Sequence, residues 1–284
     1  MAWVASILNC RLTLVLLKPA LYTSNMLEMP LRSAPASTIG NEMIMTQTAL
    51  LCLLTLLASG IGTATGFGTS TVMIPVMILF LPAPVALLFV GIIHLCGDVW
   101  KLLLFKRGAD WRLILAFGLP GIAASFLGAS LSLQAQTFPL KRLLGAFLIL
   151  YVVYLFMKRR WTLPQTNTTA ICGGTLSGLF AGFFGVGGAV RGAFLTAFNL
   201  PKEVYIFTSG LIALFIDLTR VTRYWWGGTR FEEDLAAALI LSIPISFAGA
   251  WLAKRFLDRL PQKYFRAFVG IFLALVGVKL LLWN

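Results

Sequence analysis

The sequence predicts an all-α polytopic membrane protein made of two inverted repeats of about five helical segments each, with a glycine-broken short helix at the start of each repeat. Three observations predict it. Of the 284 residues, 59% are apolar and only 12% charged, about half the charged share of a soluble domain, and mean hydropathy is +0.89. Apolar runs of about 20 residues, the length that crosses a bilayer, recur along the chain. The runs fall into two sets that match in order. This composition excludes an ordinary soluble enzyme. The net charge of +13 does not indicate a nucleic-acid partner. Lys and Arg sit between apolar runs, as in membrane proteins, and are not gathered on one solvated face.

Residues 1–43 are the least apolar part and hold Arg11, Lys18, Pro19, Pro30, Arg32 and Pro35. The run Leu12–Leu17 is too short to span and lacks the flanks of a signal peptide. The segment reads as a disordered or surface extension, with Met43 or Met45 near the functional start. The first repeat then covers 44–160, with segments at 44–65, 68–81, 84–104, 111–133 and 139–157. A linker at 161–167 leads to the second repeat, 168–284, with segments at 168–187, 189–199, 203–223, 234–254 and 264–283. The pieces 68–81 and 189–199 reach only part-way through a bilayer at about 1.5 Å per residue.

The duplication is visible residue by residue. Gly66 and Gly68 match Gly185 and Gly187 at an offset of 119, as do Leu81-Pro82 with Leu200-Pro201, Gly91 with Gly210, and Asp98 with Asp217. Further on, Phe126–Leu131 matches Phe247–Leu252, and Gly145-Ala-Phe-Leu matches Gly270-Ile-Phe-Leu. Loop charge gives orientation. Lys106, Arg107 and Arg112 outnumber Asp110, Lys158-Arg-Arg160 closes the first repeat, and Lys254, Arg255, Arg259 and Lys263 outnumber Asp258. The positive-inside rule places these three loops in the cytoplasm. Each half then crosses an odd number of times, so the halves are inverted, a common construction of secondary transporters with a midplane site.

Each repeat opens with a glycine break, Gly60–Thr71 and Gly182–Gly188. Glycine lets the backbone leave the helix and approach a ligand, and a short helix starting there aims N–H groups inward. Gly66, Gly68, Thr69, Ser70, Gly185, Gly187, Gly188 and Arg191 are therefore the expected anion-binding residues. Ala58, Gly62 and Gly66, and Gly174, Gly178 and Gly182, recur every fourth residue; the upstream glycines of these series read as close helix packing. Asp98 with Lys101, and Asp217 with Arg220, are the same Asp-x-x-basic unit in matching helices. They are the expected proton-relay residues, because ionisable groups inside a membrane are costly and usually functional; the plainer reading is mutual neutralisation near a helix end. His94, one turn before Asp98, joins the relay or is simply packed. Arg191 has no acid within four residues, so an anion or a distant acid should partner it. Pro75, Pro120 and Pro244 are expected to kink or end helices, and Trp161, Trp225, Trp226 and Trp283 to anchor the interfaces.

The segments Ser177-Gly-Leu-Phe-Ala-Gly-Phe-Phe-Gly-Val-Gly-Gly188 and its weaker copy Ser59-Gly-Ile-Gly-Thr-Ala-Thr-Gly-Phe-Gly68 resemble the sulfite exporter TauE/SafE family. With the Leu-Pro dipeptides and the duplicated layout, the resemblance covers about 44–284. It departs at Thr69-Ser70 and at Ala189, where the pattern continues with glycine. The resemblance implies a multi-pass carrier in the bacterial inner membrane for sulfite, sulfonates or related organic anions.

The expected function is export of a small anion by alternating access, coupled to protons or membrane potential; the alternative is a channel-like anion pathway. The expected partners are the anion, protons and the lipid bilayer, with no nucleic acid, and a dimer is one option for the assembly. No cofactor or metal is expected, because the cysteines Cys10, Cys52, Cys96 and Cys172 are scattered and His94 is the only histidine. No Walker motif supports ATP drive, and no reactive constellation supports an enzyme.

Overall fold

The computed structural model describes residues 36–65, 68–104, 108–157, 163–256 and 262–282. Gly66, the basic loop residues Lys106, Arg107, Lys158, Arg159, Arg160 and Arg259, the tryptophans Trp161 and Trp283, and residues 1–35 lie outside them, as do the side chains of Lys101 and Lys263. Ten helices follow one another, with no strand among the described residues: α1 (Ala36–Thr65), α2 (Thr69–Met77), α3 (Ala83–Leu104), α4 (Trp111–Gln134), α5 (Thr137–Phe156), α6 (Asn167–Phe184), α7 (Gly187–Ala197), α8 (Lys202–Trp226), α9 (Glu233–Phe256) and α10 (Gln262–Leu282). Helix α1 starts at Ala36, ahead of the expected 44. Residues 44–284 form one compact unit.

Among the described residues, five helices are long and apolar enough to cross a membrane, within Ile44–Thr63, Ala83–Trp100, Trp111–Gln134, Val204–Trp226 and Glu233–Ala253. Local chemistry starts and stops them. Asp110 caps α4 by accepting from the Leu113 N–H at 3.0 Å. Thr166 and Thr169 form a reciprocal capping box on α6. Gly185, in the left-handed region at φ 74°, closes α6; its N–H reaches the Ala181 carbonyl and the Val186 N–H reaches that of Phe180, the paired closure typical of a glycine C-terminus. Pro75, Pro120 and Pro244 all lie inside helices, so none of them ends one.

Glycine sets which helices meet. A Cβ on Gly174, Gly178 or Gly182 of α6 would overlap the carbonyl oxygen of Phe117, Gly121 or Ser125 of α4, respectively. The two residue numbers climb together, so α4 and α6 run parallel with their backbones touching. Close approach of this kind is how small residues hold helices together where lipid supplies no hydrophobic drive. On the other side α9 meets α1 through Gly249, whose Cβ would overlap the Leu56 carbonyl. Segments that match in sequence also meet each other: α2 with α7, α3 with α8, and α5 with α10. In α5 and α10, Gly145 faces Leu280 and Leu281 while Gly270 faces Phe156, so these counterparts run antiparallel.

Gly178→Ala is expected to destabilise the purified protein by about 1–3 kcal/mol, the usual cost of over-packing. Gly60→Ala, whose Cβ would make an ordinary contact at 3.5 Å from the Gly249 carbonyl, is expected to be much milder. Thermal unfolding in detergent compares the two, and equal midpoints would remove the packing role of Gly178.

Candidate functional site

Helices α3 and α8 bring four ionisable groups into the interior. His94 and Asp98 share one face of α3, one turn apart; Asp217 and Arg220 share one face of α8. The helices run antiparallel, with Gly91 opposite Arg220 and His94 opposite Asp217. Gly91 makes the fit possible: a Cβ there would press on the Val221 side chain at 2.9 Å and stand 3.6 Å from the Arg220 guanidinium. Asp98 and Arg220 are fully buried, and His94 and Asp217 are each 2% exposed.

One carboxylate organises the group. Asp217 Oδ1 accepts from Arg220 Nε at 2.5 Å, and Asp217 Oδ2 is hydrogen-bonded to His94 Nδ1. Asp98 Oδ2 lies 3.5 Å from the same Nδ1. Nδ1 of His94 therefore faces both carboxylates. Arg191 of α7, 4% exposed, donates from Nε to Ser209 Oγ of α8 at 3.2 Å. His94, Asp98 and Asp217 offer ligand atoms within 4.8 Å of one another, a spacing a metal ion accepts; here Arg220 supplies the positive charge at Asp217.

Among the described residues, three buried nitrogens of this cluster have no hydrogen-bond partner: His94 Nε2, Arg220 Nη1 and Arg220 Nη2. Two of them meet the glycine breaks. Gly68, at φ 82°, begins α2, and a Cβ there would come within 2.5 Å of His94 Nε2. Gly185 closes α6 before α7, and a Cβ there would stand 3.1 Å from Arg220 Nη1. Neither short helix has a side-chain cap at its N-terminus. The breaks of the two repeats therefore end against the two partners of one carboxylate.

The expected site residues divide. Gly68, Gly185, His94, Asp98, Asp217 and Arg220 come together, with Arg191 beside them. Thr69, Ser70 and Gly188 are buried in the first turns of α2 and α7. Gly187 is committed to packing: a Cβ there would overlap the Ser177 carbonyl and Ala181, and its own carbonyl accepts from Ser177 Oγ at 3.1 Å. Asp217 and Arg220 are buried and pair with each other. His94 bonds across to α8. Arg223, the other arginine near the end of α8, instead donates to Ser130 Oγ at 2.7 Å.

Sequence reasoning missed Ser209 and Tyr224. The Tyr224 hydroxyl donates to the Gly182 carbonyl and ties α8 to α6 just ahead of the break. Neither residue stands in a motif; only the helical register of α8, which places 209, 213, 217, 220 and 224 along one face, points to them.

Compared with curated proteins, the chain finds no match. Compared with protein families, residues 51–280 match the sulfite exporter TauE/SafE description, a stretch that contains both glycine breaks and every ionisable group of the buried cluster. A helical membrane protein with this duplicated, glycine-broken layout, matched over most of its length, belongs to the sulfite exporter TauE/SafE family.

Proposed function

We propose that this chain is a secondary transporter that exports a small oxyanion, such as sulfite or a sulfonate, across the bacterial inner membrane by alternating access, with protons as the coupling ion. The observation that carries the reading is the convergence of both helix breaks on the buried His94–Asp217–Arg220 cluster. Broken helices in corresponding repeats are the usual site of substrate and coupling ion in such carriers. The antiparallel packing of α3 with α8 and of α5 with α10 supports inverted repeats.

In this reading the distal nitrogens of Arg220, with Arg191 and the N–H groups opening α2 and α7, hold the anion, and His94 carries the proton. Electrostatics supplies the coupling. Among the described side chains, the charged groups around His94 are Asp98 on its own helix, Asp217 and Arg220 on α8, and Arg191 on α7; the phenol of Tyr224 lies one turn beyond Arg220. These described groups, two carboxylates and two guanidiniums, sum to zero. A singly charged anion entering this buried place leaves an uncompensated negative charge, which is costly, and a proton on His94 restores neutrality. Anion and proton therefore favour each other's binding and move together, and the substrate gradient drives export.

The test is efflux of labelled sulfite from proteoliposomes with imposed pH gradients and membrane potentials. Wild-type efflux is expected to saturate, to show counterflow, and to speed up with internal acidification. His94→Gln retains a donor for Asp217 but cannot take a proton. It is expected to lose the pH response and to become sensitive to membrane potential. Wild-type pH coupling in this variant would exclude His94 as the proton carrier, and flux that stays linear with substrate would favour a channel.

A further inference from the structure

Away from the buried cluster, a groove of about 430 Å³ runs along the outer face between the N-terminal halves of α4 and α6. Its walls are Leu115, Leu119 and Pro120 on α4 and Ile171 on α6, with Arg112 and Asn167 at one end. The spacing explains the shape. Residues 112, 115, 119 and 120 follow one stripe of α4, and 167 and 171 stand one turn apart on α6. Because the helices are parallel, the two polar residues lie at the same end. Leu115, Leu119 and Ile171 are 56%, 61% and 47% exposed, so the groove opens outward, where a membrane protein meets lipid.

We propose that this groove binds an anionic phospholipid, with the phosphate at Arg112 and Asn167 and an acyl chain along Leu115, Leu119 and Ile171. A groove that is charged at one end and apolar along its length matches a headgroup with a chain. Charge complementarity selects an anionic headgroup. The adjoining sequence carries Lys106 and Arg107 before α4 and Lys158, Arg159 and Arg160 before α6. The nearby carboxylate is tied back into the fold, since Asp110 accepts from the Leu113 N–H and from Gln165 Nε2, each at 3.0 Å. By the positive-inside rule this end is cytoplasmic, the side on which juxtamembrane basic residues meet anionic lipid.

The experiment uses the full chain in detergent, with phosphatidylglycerol or phosphatidylcholine added at equal amounts. Bound lipid is read by native mass spectrometry and stability by thermal unfolding. The wild type is expected to retain phosphatidylglycerol preferentially. Arg112→Gln is expected to cut that preference about fivefold, the worth of one basic contact near a membrane surface. Leu119→Trp fills the groove and is expected to reduce retention of both lipids without moving the lipid-free midpoint. Equal retention of the two lipids, or a preference that survives both substitutions, would overturn the assignment. So would a Leu119→Trp chain that changes from dimer to monomer, which would make this face a contact between copies.

Discussion

Arg220→Ala is expected to abolish transport and to lower stability by about 3–5 kcal/mol, the range for breaking a buried ion pair from one side. Arg220 is fully buried and its Nε holds Asp217 Oδ1 at 2.5 Å. Its removal takes the guanidinium away from Asp217, which keeps its bond to His94. The stability loss by itself would not separate a structural arginine from a substrate ligand, so two companions are needed. Arg220→Ala with Asp217→Asn removes both charges of the pair and is expected to recover most of the unfolding midpoint but none of the sulfite flux. Arg220→Lys keeps the charge but loses the planar fork; it is expected to fold and to bind the anion more weakly. Recovery of flux in the double variant would show that Arg220 serves only to neutralise Asp217. Arg191→Ala is expected to weaken anion binding at a smaller cost in stability, because its hydrogen bond runs to the neutral Ser209.

The contrast between these arginines bears on what a sequence can reveal. The Asp217–Arg220 pair is local: three residues on a helix fix the geometry, so the pattern alone predicts the contact. The helix boundaries are legible for a similar reason, since apolar run length and the bilayer dictate them together. The stripe Gly174, Gly178 and Gly182 announces a close helix contact, although its partner α4 is not written in the stripe. The His94–Asp217 bond is of another kind. It joins residues 123 apart and depends on the register in which two antiparallel helices pack, which no local spacing encodes. His94 has no counterpart in the second half, where Ala213 stands, so the match between the halves does not point to it. The breaks were half legible. Their glycines marked where the helices stop, but only packing distinguishes Gly185, against Arg220, from Gly187, against α6.

That distinction leads to the second large effect. Gly185→Ala is expected to eliminate transport and to cost about 2–5 kcal/mol, from a left-handed backbone of about 1–2 kcal/mol plus over-packing of about 1–3 kcal/mol. At φ 74° the new Cβ would overlap the tip of Ile74 from α2, stand 2.9 Å from Leu87 and stand 3.1 Å from Arg220 Nη1. Ile74 and Leu87 can swing aside, but Arg220 is held by Asp217 and yields only by loosening that pair. Gly228 supplies the control: it has φ 86° and nothing within 4 Å of a Cβ. Gly228→Ala therefore carries the backbone cost without the collision, and is expected to shift the unfolding midpoint slightly while leaving sulfite flux near wild type. The difference between the two variants isolates the contact between the second break and the arginine. Equal losses of flux would mean that backbone conformation alone matters at Gly185. A Gly185→Ala protein that transports normally would detach the break from the site.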